Sequence, residues 1–289
     1  MSACPACDKP FSPGPTIRDH SVTGETFTLS VCNNCGLMKT DFPTNGTIGK
    51  YYQSEDYISH TSSAGNLVQR IYLLVRKYTL NQKLKLLGGL GAPEQSVADI
   101  GCGTGDFLKT MASGGWEISG IEPSEKARAI AERNTGTTLG KDVRTLASSF
   151  GVITLWHVLE HLEDPQETIK KLSGNLKPGG TLLIAVPNHR SWDSYHYGAN
   201  WAALDVPRHL WHFTKASISG LAVKAGLKVT NTLPMKFDAY YVSMLSEGYQ
   251  RGSKKTLRDL LVGIWIGFHS NLGASKTGEY SSLIYLLQK

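Results

Sequence analysis

The chain has no apolar run long enough to cross a bilayer. Its longest, Leu260 to Phe268, falls well short of the roughly 20 residues that a spanning helix needs. The first residues, Met1-Ser2-Ala3-Cys4-Pro5, lack the basic region and apolar core of a secretory signal. There is no low-complexity tract and no internal repeat. Charge of one sign is also scarce: a net +6, mostly dispersed, does not build an obvious nucleic-acid surface. The one crowded basic stretch, Arg251, Lys254, Lys255 and Arg258, reads as a solvated loop. These absences point to a cytoplasmic globular protein whose contact with a membrane is at most peripheral. In that reducing compartment five cysteines do not form disulfides, so clustered pairs point to metal.

What is present divides into three stretches: residues 1–42, 43–93 and 94–289. The first holds four of the five cysteines around a β-hairpin. Thr16 to Val22 and Glu25 to Val31 are β-prone, and Thr23-Gly24 supplies the turn. Cys4-Pro5-Ala6-Cys7 and Cys32-Asn33-Asn34-Cys35 are two Cys-x-x-Cys knuckles. Four thiolates at one point suit tetrahedral Zn²⁺ and leave no open coordination position, so Cys4, Cys7, Cys32 and Cys35 predict a structural zinc ribbon. The ribbon's bases, Lys9, Arg18 and Lys39, are matched by Asp8, Asp19, Glu25 and Asp41, which makes nucleic acid an unfavoured partner. The second stretch is a linker followed by a helical cap or lid over Tyr51 to Leu87, where Leu67, Ile71, Leu74 and Tyr78 form an apolar stripe.

The third stretch alternates strand and helix. Strands are expected at Ser96–Ile100, Glu117–Ile121, Thr137–Leu139, Val152–Trp156, Thr181–Val186, Lys228–Thr232 and Ser281–Leu287. Asp164-Pro165 with Glu167 starts one helix, and Thr214 opens another that Gly226 closes. The fold class is therefore α/β: a Rossmann-like, mostly parallel seven-stranded sheet with helices on both faces, plus the small zinc-ribbon hairpin.

The segment Asp99-Ile100-Gly101-Cys102-Gly103-Thr104-Gly105 places glycines between a strand and a helix, where a ligand needs backbone free of Cβ atoms. The next strand ends in Glu122, whose carboxylate can accept hydrogen bonds from both ribose hydroxyls of an adenosine. The glycine spacing differs from the dinucleotide pattern. Cys102, inside the loop, reads as a small buried filler.

Four segments in order, Val97 to Gly105, Gly120-Ile121-Glu122-Pro123, Trp156-His157-Val158-Leu159-Glu160-His161 and Leu176-Lys177-Pro178-Gly179-Gly180, resemble the class I methyltransferases that use S-adenosylmethionine (SAM). The resemblance implies that Asp99, Gly101, Gly103 and Gly105 approach the methionine part of SAM. Glu122 would hold the ribose, Asp142 and Val143 would flank the adenine, and Trp156 and His157 would lie beside the sulfonium.

Methyl transfer to a hydroxyl or an acidic carbon also needs a base, and histidine suits neutral pH. His157 is one candidate. His-x-x-Glu-His over His157 to His161 superficially matches an inverted zinc-protease motif, but His157 ends a strand, so Glu160 and His161 are expected to support the loop. The long segment Pro187 to Phe213 carries Trp192, Tyr195, Tyr197, Trp201 and Trp211 with four histidines, either as a secondary core or as a substrate pocket. Val206-Pro207-Arg208-His209 resembles the Tyr-His-Glu-His of zinc-containing sugar C-methyltransferases at His209 only. That leaves His209 as the preferred base, with Arg208 available to an acidic substrate group. The tyrosines from Tyr51 to Tyr57 could form a lid or serve helix packing. Leu257, Leu260, Leu261, Ile264, Trp265 and Phe268 form an apolar face expected to pack on the domain or a partner rather than on a membrane. The expected function is methyl transfer from SAM to a small-molecule acceptor, at oxygen or carbon. An RNA- or protein-modifying enzyme recruited through the zinc module is the alternative.

Overall fold

The computed structural model describes residues 3–42, 48–52, 67–146, 148–252 and 256–289. The cysteine-bearing stretch folds as β1 (Phe11–Arg18), β2 (Thr26–Cys32) and β3 (Met38–Thr40), paired antiparallel in that order. Buried Asp19 ties the β1–β2 turn by accepting from the backbone N–H groups of Ser21, Val22 and Thr23 at 2.9, 3.1 and 2.8 Å. The fourth strand of this sheet, β8 (Trp211–His212), arrives from far along the chain and sets Met38 opposite His212 and Lys39 opposite Trp211.

Helix α1 (Leu67–Gly88) then leads into the second sheet. Its elements are β4 (Ser96–Ile100), α2 (Asp106–Ser113), β5 (Glu117–Ile121), α3 (Glu125–Thr135), β6 (Phe150–Trp156), α4 (Pro165–Gly174) and β7 (Leu176–Pro187). After the short helix α5 (Trp192–Tyr197) and β8 come α6 (Lys215–Lys224), β9 (Lys228–Pro234), α7 (Asp238–Arg251), α8 (Leu257–Thr277) and β10 (Ser282–Gln288). The expected caps are present. Asp164 accepts from Glu167 N–H at 2.9 Å, and Thr214 forms a capping box with Ser217.

Strand order is β5-β4-β6-β7-β10-β9. Neighbours from β5 to β7 are parallel, and β10 runs antiparallel to both β7 and β9. The described sheet has six strands rather than the expected seven. The region Thr137–Leu139 contributes an isolated parallel bridge, Ile121 to Gly140. The reason is local: the Leu139 N–H is taken by the Glu132 side chain at 3.0 Å, and Asp142 caps a 3-10 turn just beyond, so too few free backbone groups remain for a ladder.

Side chains alternate through the sheet. Ile153, Leu155, Leu182, Ile184 and Val186 enter one core with α4 and α6, while Val152, Leu183 and Ala185 enter another with α1 and α2. Each such Val, Leu or Ile contributes about 1.5–3 kcal/mol when fully buried. Cys4, Cys32 and Cys35 belong to the first of these cores, alongside Phe213, Ile218 and Leu221, so the ribbon and the large sheet share apolar packing. The C-terminal helices cross closely because Gly263 and Gly267 lie against α7; a Cβ on Gly263 would come within 2.6 Å of the Met244 backbone.

Candidate active site

The chain leaves β4 to one side for β5 and returns to the other for β6, which opens a crevice beyond the carboxyl ends of these strands. The glycine loop fills the turn after β4. Gly101 and Gly105 both have positive φ, 70° and 79°, and a Cβ on either would collide, with Val158 at 2.5 Å and Ala131 at 2.9 Å. Gly103, at φ 56°, faces open space, as a cradle for a ligand must. Glu122, at the end of β5, accepts from Gly103 N–H at 2.8 Å and from Ser124 N–H at 2.9 Å, so its carboxylate is fixed at the loop. Burial, aided by the like charge of Glu122, pushes the Asp99 carboxyl up to about 7, against the Thr154 hydroxyl at 2.6 Å and the Lys83 ammonium.

Trp156 closes this crevice at the end of β6. Its buried indole Nε1 has no hydrogen-bond partner, and Lys83 of α1 stands 3.8 Å from its ring centroid. Burial lowers Lys83 to about 8. Lys83 was not anticipated, because it lies outside every motif and enters the crevice only through the packing of α1. Asp142 and Val143 lie at the rim. The Asp142 carboxylate accepts from Arg144 N–H at 2.8 Å and pairs with the Arg144 guanidinium, which holds it down to about 2. Cys102 is buried with its thiol pushed up to about 12, as befits a packing residue.

Just beyond β6, His157 sits at φ 55°, a strained conformation for a side-chain-bearing residue. It is held between Asp238 at 3.0 Å and Glu160 at 3.4 Å. Burial opposes its charge, but the two carboxylates win and raise it to about 10. A ring protonated at neutral pH cannot accept a further proton. Asp238, the first residue of α7, carried no motif in the sequence. His209 is buried, and its Nδ1 donates to the Ala203 carbonyl at 2.9 Å. The ring of His161 meets it edge-on with centroids 4.7 Å apart.

Arg208 faces inward. It is buried, pairs with Asp205 and donates to the Tyr51 carbonyl at 3.0 Å. The aromatic segment is mostly secondary core: Tyr197, Trp201, Trp211 and Phe213 are buried, and Trp201 Nε1 donates to Asp193 at 2.8 Å. Trp192 and Tyr195 remain exposed. Of the tyrosines proposed as a lid, Tyr51 packs against Phe27 and Phe42, while 53–57 lie outside the described residues. Lys254 and Lys255 of the basic stretch also lie outside them.

The four ribbon cysteines converge. Cys4 and Cys35 sulfurs are 3.6 Å apart, Cys7 and Cys32 3.4 Å, and all four lie within 4.8 Å of one another. Zn–S bonds of about 2.3 Å require tetrahedral edges of about 3.8 Å, so the donor set fits zinc. The ion would be structural, holding the two knuckles together.

A parallel sheet with reversed strand order, a glycine cradle after its first strand and a carboxylate closing the second define an α/β enzyme with a site for an adenosine-bearing cosubstrate. A family profile described as "Methyltransferase domain" matches residues 72–232, and the chain belongs to that family of SAM-dependent enzymes. It is 29% identical over 168 residues to a ubiquinone biosynthesis O-methyltransferase of Azoarcus sp. (strain BH72), covering 52% of this chain and 72% of that protein. It is 30% identical over 162 residues to the protein of the same description from Thiobacillus denitrificans, covering 50% and 69%. Among solved structures, the magnesium protoporphyrin IX methyltransferase from Synechocystis PCC 6803 with bound SAH shares the fold at TM-score 0.52 and 16% identity, over 82% of this chain and 95% of that one. A cyclopropane synthase from Mycobacterium tuberculosis does so at TM-score 0.51 and 16% identity, over 83% and 95%.

Proposed function

We propose that the protein transfers the methyl group of SAM to a hydroxyl of a small, lipophilic acceptor. The observation that carries this reading is the crevice at β4, β5 and β6, where Asp99, the glycine cradle and Glu122 meet the unpartnered indole N–H of Trp156. In this reading Asp99, Gly101, Gly103 and Gly105 receive the methionine part. Glu122 exchanges a backbone donor for the ribose hydroxyls, Asp142 and Val143 flank the adenine, and Trp156 lies by the sulfonium. An acceptor oxygen attacks the methyl carbon as the carbon–sulfur bond breaks, and the demethylated product SAH leaves. The protein's work is alignment, exclusion of water and removal of the acceptor's proton.

Oxygen is chosen as the acceptor atom because the curated relatives are named O-methyltransferases. His209 is assigned to the acceptor side. With Nδ1–H given to a carbonyl, its Nε2 is the atom that takes the acceptor's proton in this reading. His157 is assigned a positioning role. We read 94–289 as the catalytic domain, 43–93 as its linker and helical cap, and 1–42 as the zinc ribbon that supports the acceptor side. RNA or protein acceptors rank second, because the ribbon carries four acids against three bases.

The test is calorimetric and enzymatic. SAM and SAH should bind the protein, and Glu122→Ala should weaken both by roughly 100-fold, about 3 kcal/mol for lost charged hydrogen bonds. Phenolic and catecholic acceptors should release SAH in the presence of the enzyme. Absence of binding by either nucleoside would overturn the assignment.

A further inference from the structure

The loop after β6 and the segment before β8 place three metal-binding side chains together: Glu160, His161 and His209 each offer a ligand atom within 4.8 Å of the others. They are held there by the backbone, since Leu210 N–H donates to the Glu160 carbonyl at 2.8 Å. The Glu160 side chain is 1% exposed, and neither of its carboxylate oxygens has a hydrogen-bond partner. His157 Nδ1 lies 3.4 Å from Oε1, which is an ion-pair contact and not a hydrogen bond. One imidazolium contact leaves most of this buried carboxylate's lone pairs unsatisfied, and native proteins rarely do so without an ion or water at the site.

The two histidines carry a second, independent sign. His161 Nδ1 lies 3.0 Å from the Arg208 carbonyl and His209 Nδ1 lies 2.9 Å from the Ala203 carbonyl. A carbonyl only accepts, so each Nδ1 bears a proton and each Nε2 is the atom left to meet a metal in the neutral ring. An outer hydrogen bond from one ring nitrogen to a carbonyl is how metal-ligating histidines are oriented and made more basic.

We propose that Glu160, His161 and His209 bind a divalent first-row metal ion of the zinc type, separate from the four-cysteine site. Two imidazoles and one carboxylate suit such an ion, and three protein ligands leave a coordination position open. An acceptor hydroxyl at that position becomes more acidic, gives its proton to solvent and reaches the methyl donor as its conjugate base. This part of the proposal rests on the methyltransferase reading; the presence of the ion does not.

The experiment is metal loading of the full chain, read without turnover. Metal-depleted protein is titrated with Co²⁺ and followed by visible absorption. A first equivalent should give the intense thiolate charge-transfer bands of a four-cysteine site, and a second should add d–d bands without further charge transfer. In Glu160→Gln and in His209→Ala the second phase should vanish while the first remains, with thermal unfolding and SAM binding recording that each variant is folded. A folded wild-type protein that takes up one equivalent only overturns the site, as does a second equivalent retained by folded variants. Should a variant fail to fold, the wild-type stoichiometry and spectrum still decide. SAM binding with one metal ion removes this inference and leaves the methyltransferase reading standing; two metal ions without SAM binding does the reverse.

Discussion

Asp99 shows how one buried group can tie cosubstrate affinity to pH. Its carboxyl faces the Thr154 hydroxyl, the Lys83 ammonium and the Glu122 carboxylate, and burial raises it to about 7. The folded chain therefore holds this proton more tightly than the unfolded chain does. In the absence of SAM, Asp99's contribution to stability is fully present below the unfolded value of 3.8 and is lost as pH rises through about 7. SAM brings positive charge to the crevice and binds the carboxylate form. SAM affinity should therefore rise between about pH 6 and about pH 7.5, with proton release on binding, and Asp99→Asn should flatten the profile. Calorimetry in buffers of different ionisation enthalpy measures both; an unchanged affinity across that window would sink the idea. The glycines and Glu122 were legible in the sequence because a motif is local. Lys83 and Asp238 were not, because they reach the site from helices far along the chain.

At the scale of elements, α8 presents two faces of different character. Gly263 and Gly267 let one face lie against α7. The other exposes Leu257, Leu261, Ile264, Trp265, Phe268 and Leu272, residues that recur at three- and four-residue steps along one stripe. The apolar face expected to pack on the domain or a partner is thus not the one that meets the domain, which is lined by Gly263, Ile266, Gly267, Ser270 and Ala274. Arg258 and Lys276 are exposed at the two ends of the same stripe, which matches an anionic lipid surface and a lipophilic acceptor. Vesicles containing anionic phospholipid should bind the protein in co-sedimentation, neutral vesicles less, and Trp265→Ser with Phe268→Ser should reduce binding at least about tenfold. Concentration-dependent dimerisation that these substitutions abolish, without vesicle binding, would assign the stripe to a second copy instead. The third strand was misread for a reason at this same scale: periodicity marks apolar residues but does not show that Glu132 and Asp142 take the backbone donors a strand would need.

For the whole molecule, the consequential feature is that the zinc ribbon is not hung on a tether. Strand β3 pairs with β8, Thr214 Oγ1 donates to the Cys35 carbonyl at 2.7 Å, and three of the cysteines sit in the core of the large sheet. Gly220 of α6 is pressed so closely on the ribbon that a Cβ there would lie 2.3 Å from the Ala6 carbonyl oxygen. Stripping zinc with a strong chelator should therefore lower a single cooperative unfolding transition by about 10 °C, rather than melt the ribbon alone. Scanning calorimetry with and without chelator distinguishes these; an unchanged main transition would mean that the ribbon is energetically independent.

Local spacing determined the parts of this protein whose physics is local. The two cysteine knuckles, the glycine cradle with Glu122 and the alternation of strands and helices each follow from residues a few positions apart. Long-range packing decided the rest. It set Arg208 against Asp205, turned the aromatic segment inward as a secondary core, brought Lys83 and Asp238 to the crevice, and gathered Glu160, His161 and His209 within bonding reach of one point. Side chains separated by dozens of residues meet only when the strands between them have paired, and no spacing along the chain records that meeting.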